Sequence, residues 1–227
     1  AILSGARPIY VPLHPPEFVF DPQELRAAFA QSPKALVLCN PSNPSGKVFS
    51  REELEFIAEL AQSHDAFVIT DEVYEHIVYR PYRHRYMASL PGMFERTISC
   101  SSLSKTYNMT GWRLGYGVFP EWLVDSIERL MVNSNSCTAS FSQRAGMEAL
   151  TGPQDSVGLM LAAFRKRRDF FIEGLNRIPG ISCRVPRGAF YAFAGQNLGQ
   201  GRERAREALI TDPSLAQRVR EALTAST

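Results

Sequence analysis

The chain has 227 residues, of which 44% are hydrophobic, enough to bury a core in one large domain or two small ones. Its 25 Lys and Arg against 23 Asp and Glu give a net charge of +2, which lends no support to a nucleic-acid or membrane surface. The four cysteines (39, 100, 137, 183) form no CxxC pair and read as reduced thiols, not metal ligands. No run of about 18 apolar residues or signal-peptide layout occurs, which points to a cytoplasmic protein.

Apolar runs of strand length alternate with segments of helical period, the pattern of a mainly parallel sheet with crossover helices. Pro8 to Leu13 reads as a short strand. Asp21 as N-cap, Pro22 in the first turn and Glu24 as the third position of a capping box open a helix through about Ala30. Ala35 to Cys39 reads as a buried strand. Asn40 to Gly46 (NPSNPSG) must be an ordered loop, because its two prolines lack donors and restrict their predecessors. Ser50 and Glu53 form a second capping box, starting a helix with Leu54, Ile57, Ala58 and Leu60 on its apolar face.

Ala66 to Thr70 is the next buried strand, ending at Asp71, and Arg80, Arg83, His84 and Arg85 read as a solvated loop. Thr97 to Ser101 and Arg113 to Phe119 are two more strands, with a polar loop carrying Lys105 between them. Pro120 to Asn133, Phe141 to Leu150 and Asp155 to Ile178 have helical character, the last closed by Pro179 and Gly180. Ile181 to Val185 and Ala189 to Phe193 read as strands of a smaller layer.

Polar clusters follow the carboxyl ends of the predicted strands at Asn40 to Gly46, Asp71 to Tyr74 and Ser101 to Lys105, with a fourth at Arg113. In open α/β sheets that edge binds ligands. Each residue also has a plain reading: a solvated lysine, an aspartate capping a helix, an asparagine forming a turn. In combination, NPSNPSG, then TDEVY, then SSLSKTYNMTGWRLGY resemble, in order and spacing, the signature segments of fold-type I, class I/II, pyridoxal-phosphate-dependent aminotransferases. The resemblance runs from residue 1 to about 193.

That resemblance implies pyridoxal 5'-phosphate as cofactor and transfer of an amino group between an L-amino acid and a 2-oxo acid, in a protein that is a homodimer when complete. It makes Lys105 the amine that holds the cofactor aldehyde and moves the α-proton. Asp71 is the carboxylate that keeps the ring nitrogen protonated, and Asn43 and Tyr74 hydrogen-bond the phenolic oxygen. Ser102, Ser104 and Arg113 match the phosphate ligands of this half of the protein. Gly111 is expected only to let the backbone turn and Trp112 to pack; Gly188 to Tyr191 (GAFY) are expected to be structural.

Two other readings share these motifs. A lyase or decarboxylase would keep the cofactor and change the reaction, and an aminotransferase-like sensor domain of a transcription regulator would not be an enzyme. Family members are about twice as long, so the chain is expected to be a fragment that is inactive alone. Its expected organisation is a cofactor-binding large domain over 1–150, a long helix and the start of a small domain over 151–195, and a helical tail over 196–227. From about Arg187 the sequence also resembles the segment by which RecA recombinases leave their core, through LGQGRE at Leu198 to Glu203. No GxxxxGK[ST] phosphate loop accompanies it.

Overall fold

The computed structural model describes residues 2, 5–177, 182–190, 213, 214 and 217. It divides into two compact units. The first comprises Ala1–Asn40, Phe49–Val73 and His84–Gly152; the second comprises Pro41–Val48, Tyr74–Arg83 and Pro153–Thr227. The expected tail over 196–227, and the Pro179 and Gly180 stop, lie outside the described residues apart from positions 213, 214 and 217.

Unit 1 is an α/β layer. Its sheet contains β1 (Ala35–Cys39), β2 (Phe67–Asp71), β3 (Thr97–Ser102) and β4 (Gly115–Val118), in that order. The first three strands are parallel and β4 runs antiparallel to β3. Helices α1 (Pro22–Phe29) and α2 (Arg51–Ser63) cover one face. Their Leu25, Phe29, Leu54, Ile57 and Ala61 meet Leu38 of β1 and Val68 of β2 in a core that also takes Met87 and Met93. Each large aliphatic or aromatic side chain buried there contributes about 1.5–3 kcal/mol. On the opposite face Val37 is 73% exposed, so β1 is buried on one side only and not throughout as expected.

The capping box of α2 forms as the sequence predicts. Ser50 Oγ accepts from Glu53 N at 3.2 Å while Glu53 Oε2 accepts from Ser50 N at 2.8 Å. At α1 the expected box does not form. Asp21 accepts from Gln23 N at 2.7 Å, and the Glu24 carboxylate lies 2.9 Å from His14 Nε2 instead. Pro8 to Leu13 is not a strand, for it joins no ladder among the described residues; beside it His14 and Val19 form an isolated bridge. His84 is not solvated. Its side chain is buried, with Nε2 4.0 Å from Glu72 Oε1.

The segment between β3 and β4 departs most from the sequence reading. Lys105 sits in a one-turn helix, α3 (Leu103–Thr106), instead of a loop, because Ser102 caps it: Ser102 Oγ accepts from Ser104 N at 3.1 Å. A 3-10 turn over Thr110–Trp112 follows, and Arg113 ends it in the left-handed region at φ 52°. That turn keeps Arg113 and Leu114 out of the strand, so β4 is shorter than expected. Gly115 is needed there, since a Cβ would approach the Ser101 carbonyl oxygen to 2.9 Å. A 3-10 turn (Glu121–Leu123), α4 (Val124–Asn135) and α5 (Ser140–Thr151) complete the unit.

Unit 2 is built on α6 (Asp155–Asn176) and the segments beside it. Asn176 hydrogen-bonds both backbone groups of Cys183, Nδ2 to the carbonyl at 2.8 Å and Oδ1 from the amide at 2.7 Å. That side chain takes the place of a neighbouring strand, and the described part of Ile181 to Val185 is not the strand expected. Ala189 and Phe190 likewise lie outside any strand, Ala189 at φ 56°.

Candidate functional site

In unit 1 the antiparallel turn of β4 brings its start to the edge where β2 and β3 end. Asp71, the last residue of β2, Ser102, the last of β3, the α3 turn with Lys105, and Arg113 just before β4 therefore share one end of the sheet. Asp71 is exposed, and its Oδ1 accepts from Val73 N at 3.3 Å. Lys105 is half-buried. Ser102 Oγ donates to the Leu114 carbonyl at 3.0 Å and accepts from Ser104 N, so it braces the lysine turn from both sides. Arg113 is exposed; its Nη1 donates to the Thr110 carbonyl at 2.9 Å. The guanidinium lines a concavity with Asn108, Trp112, Ser136 and Thr138. Gly111 needs neither a left-handed backbone nor space, for a Cβ there would meet nothing within 4 Å. Trp112 packs edge-on against Phe141 at 6.4 Å.

In unit 2 the NPSNPSG loop and the TDEVY segment supply the pair Asn43 and Tyr74. Asn43 Nδ2 donates to Tyr74 Oη at 3.4 Å. Tyr74 is buried, edge-on to Phe190 at 5.4 Å, whereas Asn43 is exposed. The loop is fixed from below: the Gly46 carbonyl accepts from Arg187 N and Gly188 N, each at 2.9 Å. Gly46 has φ 65°, and a Cβ there would collide with Pro186 Cβ; one on Gly188 would come within 2.8 Å of Pro41 Cβ. The start of GAFY thus holds the loop in place, the structural part expected of it.

Tyr79 escaped the sequence reading. It is buried, its hydroxyl donates to the Ala189 carbonyl at 2.9 Å, and Arg168 lies over its ring at 4.0 Å. Burial chiefly raises its pKa, with Asp169 adding to the rise and Arg168 opposing it. The signal available was the spacing of five residues from Tyr74, which marks nothing without a partner.

The donors that unit 1 gathers at this end of its sheet, a carboxylate, an amine, serine hydroxyls and a guanidinium, are of the kinds that suit a phosphorylated pyridine aldehyde. The family described as aminotransferase class I and II matches residues 1–223. The chain belongs to that family. The match also runs over the segment that resembles the RecA exit.

An aspartate aminotransferase of Musicola paradisiaca is 42% identical over 203 residues, covering 88% of this chain and 51% of that protein. One from Pinus pinaster is 41% identical over 198 residues, covering 85% and 40%. The structure of an aromatic aminotransferase from Pyrococcus horikoshii superposes with a TM-score of 0.81 at 38% identity, over 85% of this chain and 52% of that one. The chain spans about half the length of these relatives. They share the mixed, mainly parallel sheet of unit 1, and no helix among the described residues is long and apolar enough to cross a membrane.

Proposed function

We propose that the protein containing this chain transfers an amino group between an L-amino acid and a 2-oxo acid, using pyridoxal 5'-phosphate, in a cytoplasmic homodimer. The observation that carries the reading is the gathering of Asp71, Ser102, Lys105 and Arg113 at one end of the unit 1 sheet, the end where ligands bind in open α/β sheets. Membership of the aminotransferase family and the names of the relatives support it. The bound cofactor would supply an aldehyde for a covalent link to an amine and a protonated ring that accepts electrons from the substrate's Cα.

This chain's residues would do the rest. Lys105 would hold the aldehyde and move the proton from Cα. Asp71 would keep the ring nitrogen protonated through its fixed negative charge. The Asn43 amide and Tyr74 hydroxyl would hydrogen-bond the phenolic oxygen, and Ser102, Ser104 and Arg113 the phosphate. The segment from about Arg187 would share its origin with the RecA exit, which sequencing the flanking gene tests.

The site assignment is tested by incubating the protein with pyridoxal phosphate, reducing with borohydride and mapping the labelled peptide. The label is expected on Lys105. A label on Lys34, Lys47 or Lys166 would sink the assignment. Keto-acid formation that depends on an added 2-oxo acid is the matching assay of the reaction, since a lyase makes product without the acceptor.

A further inference from the structure

Within unit 2 the Asn43 and Tyr74 pair rests on a frame whose far end is Tyr79. Residues 77–79 run antiparallel to 187–189. Tyr79 N donates to the Arg187 carbonyl at 2.9 Å, Ala189 N donates to the Ile77 carbonyl at 2.8 Å, and Val78 faces Gly188 across the bridge. On its other side the 187–189 segment holds the NPSNPSG loop through the Gly46 carbonyl, and it lies so close to Pro41 and Val48 that a Cβ on Gly188 would come within 2.8 and 2.9 Å of them. Ile77 N donates to the Tyr74 carbonyl at 2.8 Å, so the frame reaches both members of the pair.

Ala189 is the strained point of this frame. Its φ of 56° is left-handed, a conformation that a residue with a Cβ keeps only where its surroundings hold it. Both of its backbone groups are held, the amide by Ile77 and the carbonyl by the Tyr79 hydroxyl at 2.9 Å. Both residues are buried. Arg168 lies over the Tyr79 ring at 4.0 Å, and its Nη1 donates to the Pro186 carbonyl at 3.0 Å, which secures the start of the same segment. The next residue, Phe190, has its ring stacked on Phe164 and edge-on to Tyr74, each at 5.4 Å. The turn at Ala189 thus sets where Phe190 points, and Phe190 backs the Tyr74 ring.

We propose that Tyr79 is a positioning residue for the reaction: its bond to Ala189 fixes Phe190 against Tyr74 and so keeps the Tyr74 hydroxyl and the Asn43 amide 3.4 Å apart. The inference rests on the proposed function, in which that pair hydrogen-bonds the cofactor's phenolic oxygen. Two donors that serve one oxygen have to keep their spacing, and hydrogen bonds to the ionised oxygen favour it over the protonated form. Tyr79→Phe keeps the ring and removes only the bond to the Ala189 carbonyl. Ala189 then relaxes, the pair spreads, and the bound cofactor gives up its proton at higher pH.

The experiment titrates the absorption of pyridoxal phosphate bound to the protein containing this chain, in the parent, Tyr79→Phe, Phe190→Leu, the double variant and Ser50→Ala. Loading is read separately as the borohydride-fixed Lys105 peptide. A second measurement needs no cofactor: the NMR resonances of the Asn43 side-chain amide in unloaded protein. Tyr79→Phe and Phe190→Leu are each expected to raise the midpoint by about half a pH unit, and the double variant no further than the larger of the two, because both act along one path. Ser50→Ala, which weakens the cap of α2 in unit 1, should leave the midpoint in place. The Asn43 resonances should move in Tyr79→Phe and not in Ser50→Ala. With Lys105 loaded, an unmoved midpoint in Tyr79→Phe, or an equal rise in Ser50→Ala, overturns the proposal and leaves the proposed function standing. An Asn43 resonance that stays in place in Tyr79→Phe overturns it without reference to the cofactor. Failure to load at Lys105 defeats the proposed function, and with it the part of Tyr79 in the reaction.

Discussion

Asp71 and Arg113 stand at the same end of one sheet but are asked for different work, and substitutions separate the two. Asp71→Asn keeps the side chain's shape while removing the charge that, in the proposed function, would hold a ring nitrogen protonated. In a protein that carries the proposed activity it is expected to lower kcat by about a hundredfold or more with cofactor affinity changed little. Arg113→Ala removes a guanidinium suited to a phosphate, so cofactor affinity should fall about tenfold or more, and the rate at saturating cofactor should fall less. Titration with pyridoxal phosphate and steady-state kinetics check both; equal losses of affinity would refute the division of labour. Tyr79 carries a different kind of test. Its pKa is raised in the folded chain by burial, so the stability it contributes is complete below the unfolded value of 10.0 and is lost as pH climbs through the higher folded value. Tyr79→Phe should cost about 1 kcal/mol at pH near 8, from the lost bond to the Ala189 carbonyl. It should also flatten the fall in melting temperature above about pH 10.

Elements whose causes are local were legible from residues alone. The Ser50 and Glu53 box needs only four consecutive residues, and it forms. Ser50→Ala should therefore destabilise the chain by about 1 kcal/mol in urea unfolding followed by circular dichroism. Where the cause is a partner elsewhere in the chain, the reading failed. Pro8 to Leu13 has strand composition but no neighbouring strand, and Cys183 is held by Asn176 in place of a ladder. The helical turn at Lys105 was readable, because Ser102 stands where an N-cap belongs, but the Ser-rich composition suggested a loop. The site divides in the same way. Asn43, Asp71, Tyr74, Ser102, Ser104, Lys105 and Arg113 are named by the resemblance of three motifs to the signature segments of the aminotransferases. The hydrogen bond between Asn43 and Tyr74, and the bond from Tyr79 to the Ala189 carbonyl, depend on loop geometry and packing within unit 2, which no spacing along the chain encodes.

At the scale of the molecule, the question is what the open face of unit 1 does when the chain is alone in water. Val37 is 73% exposed, and large side chains on α4 and α5 (Leu130, Val132, Phe141 and Met147) are exposed with it, as is Trp122 before α4. Scattered apolar residues are normal on a surface, but this many on one unit mark surface suited to association. The chain also spans about half the length of its relatives. Expressed alone, residues 1–227 should therefore self-associate, with light scattering rising in proportion to concentration above a dilute threshold, and Val37→Lys combined with Leu130→Lys should lower the scattering without lowering helix content. If substrate positioning needs the part of the relatives' length that this chain does not span, the same preparation supplied with pyridoxal phosphate and glutamate should turn over oxo acids far below the ordinary enzyme rate of about 10 per second, because positioning alone is worth on the order of 7 kcal/mol of barrier. A monodisperse chain with ordinary turnover would show that the exposed face is a finished surface and that 227 residues suffice to position the substrate.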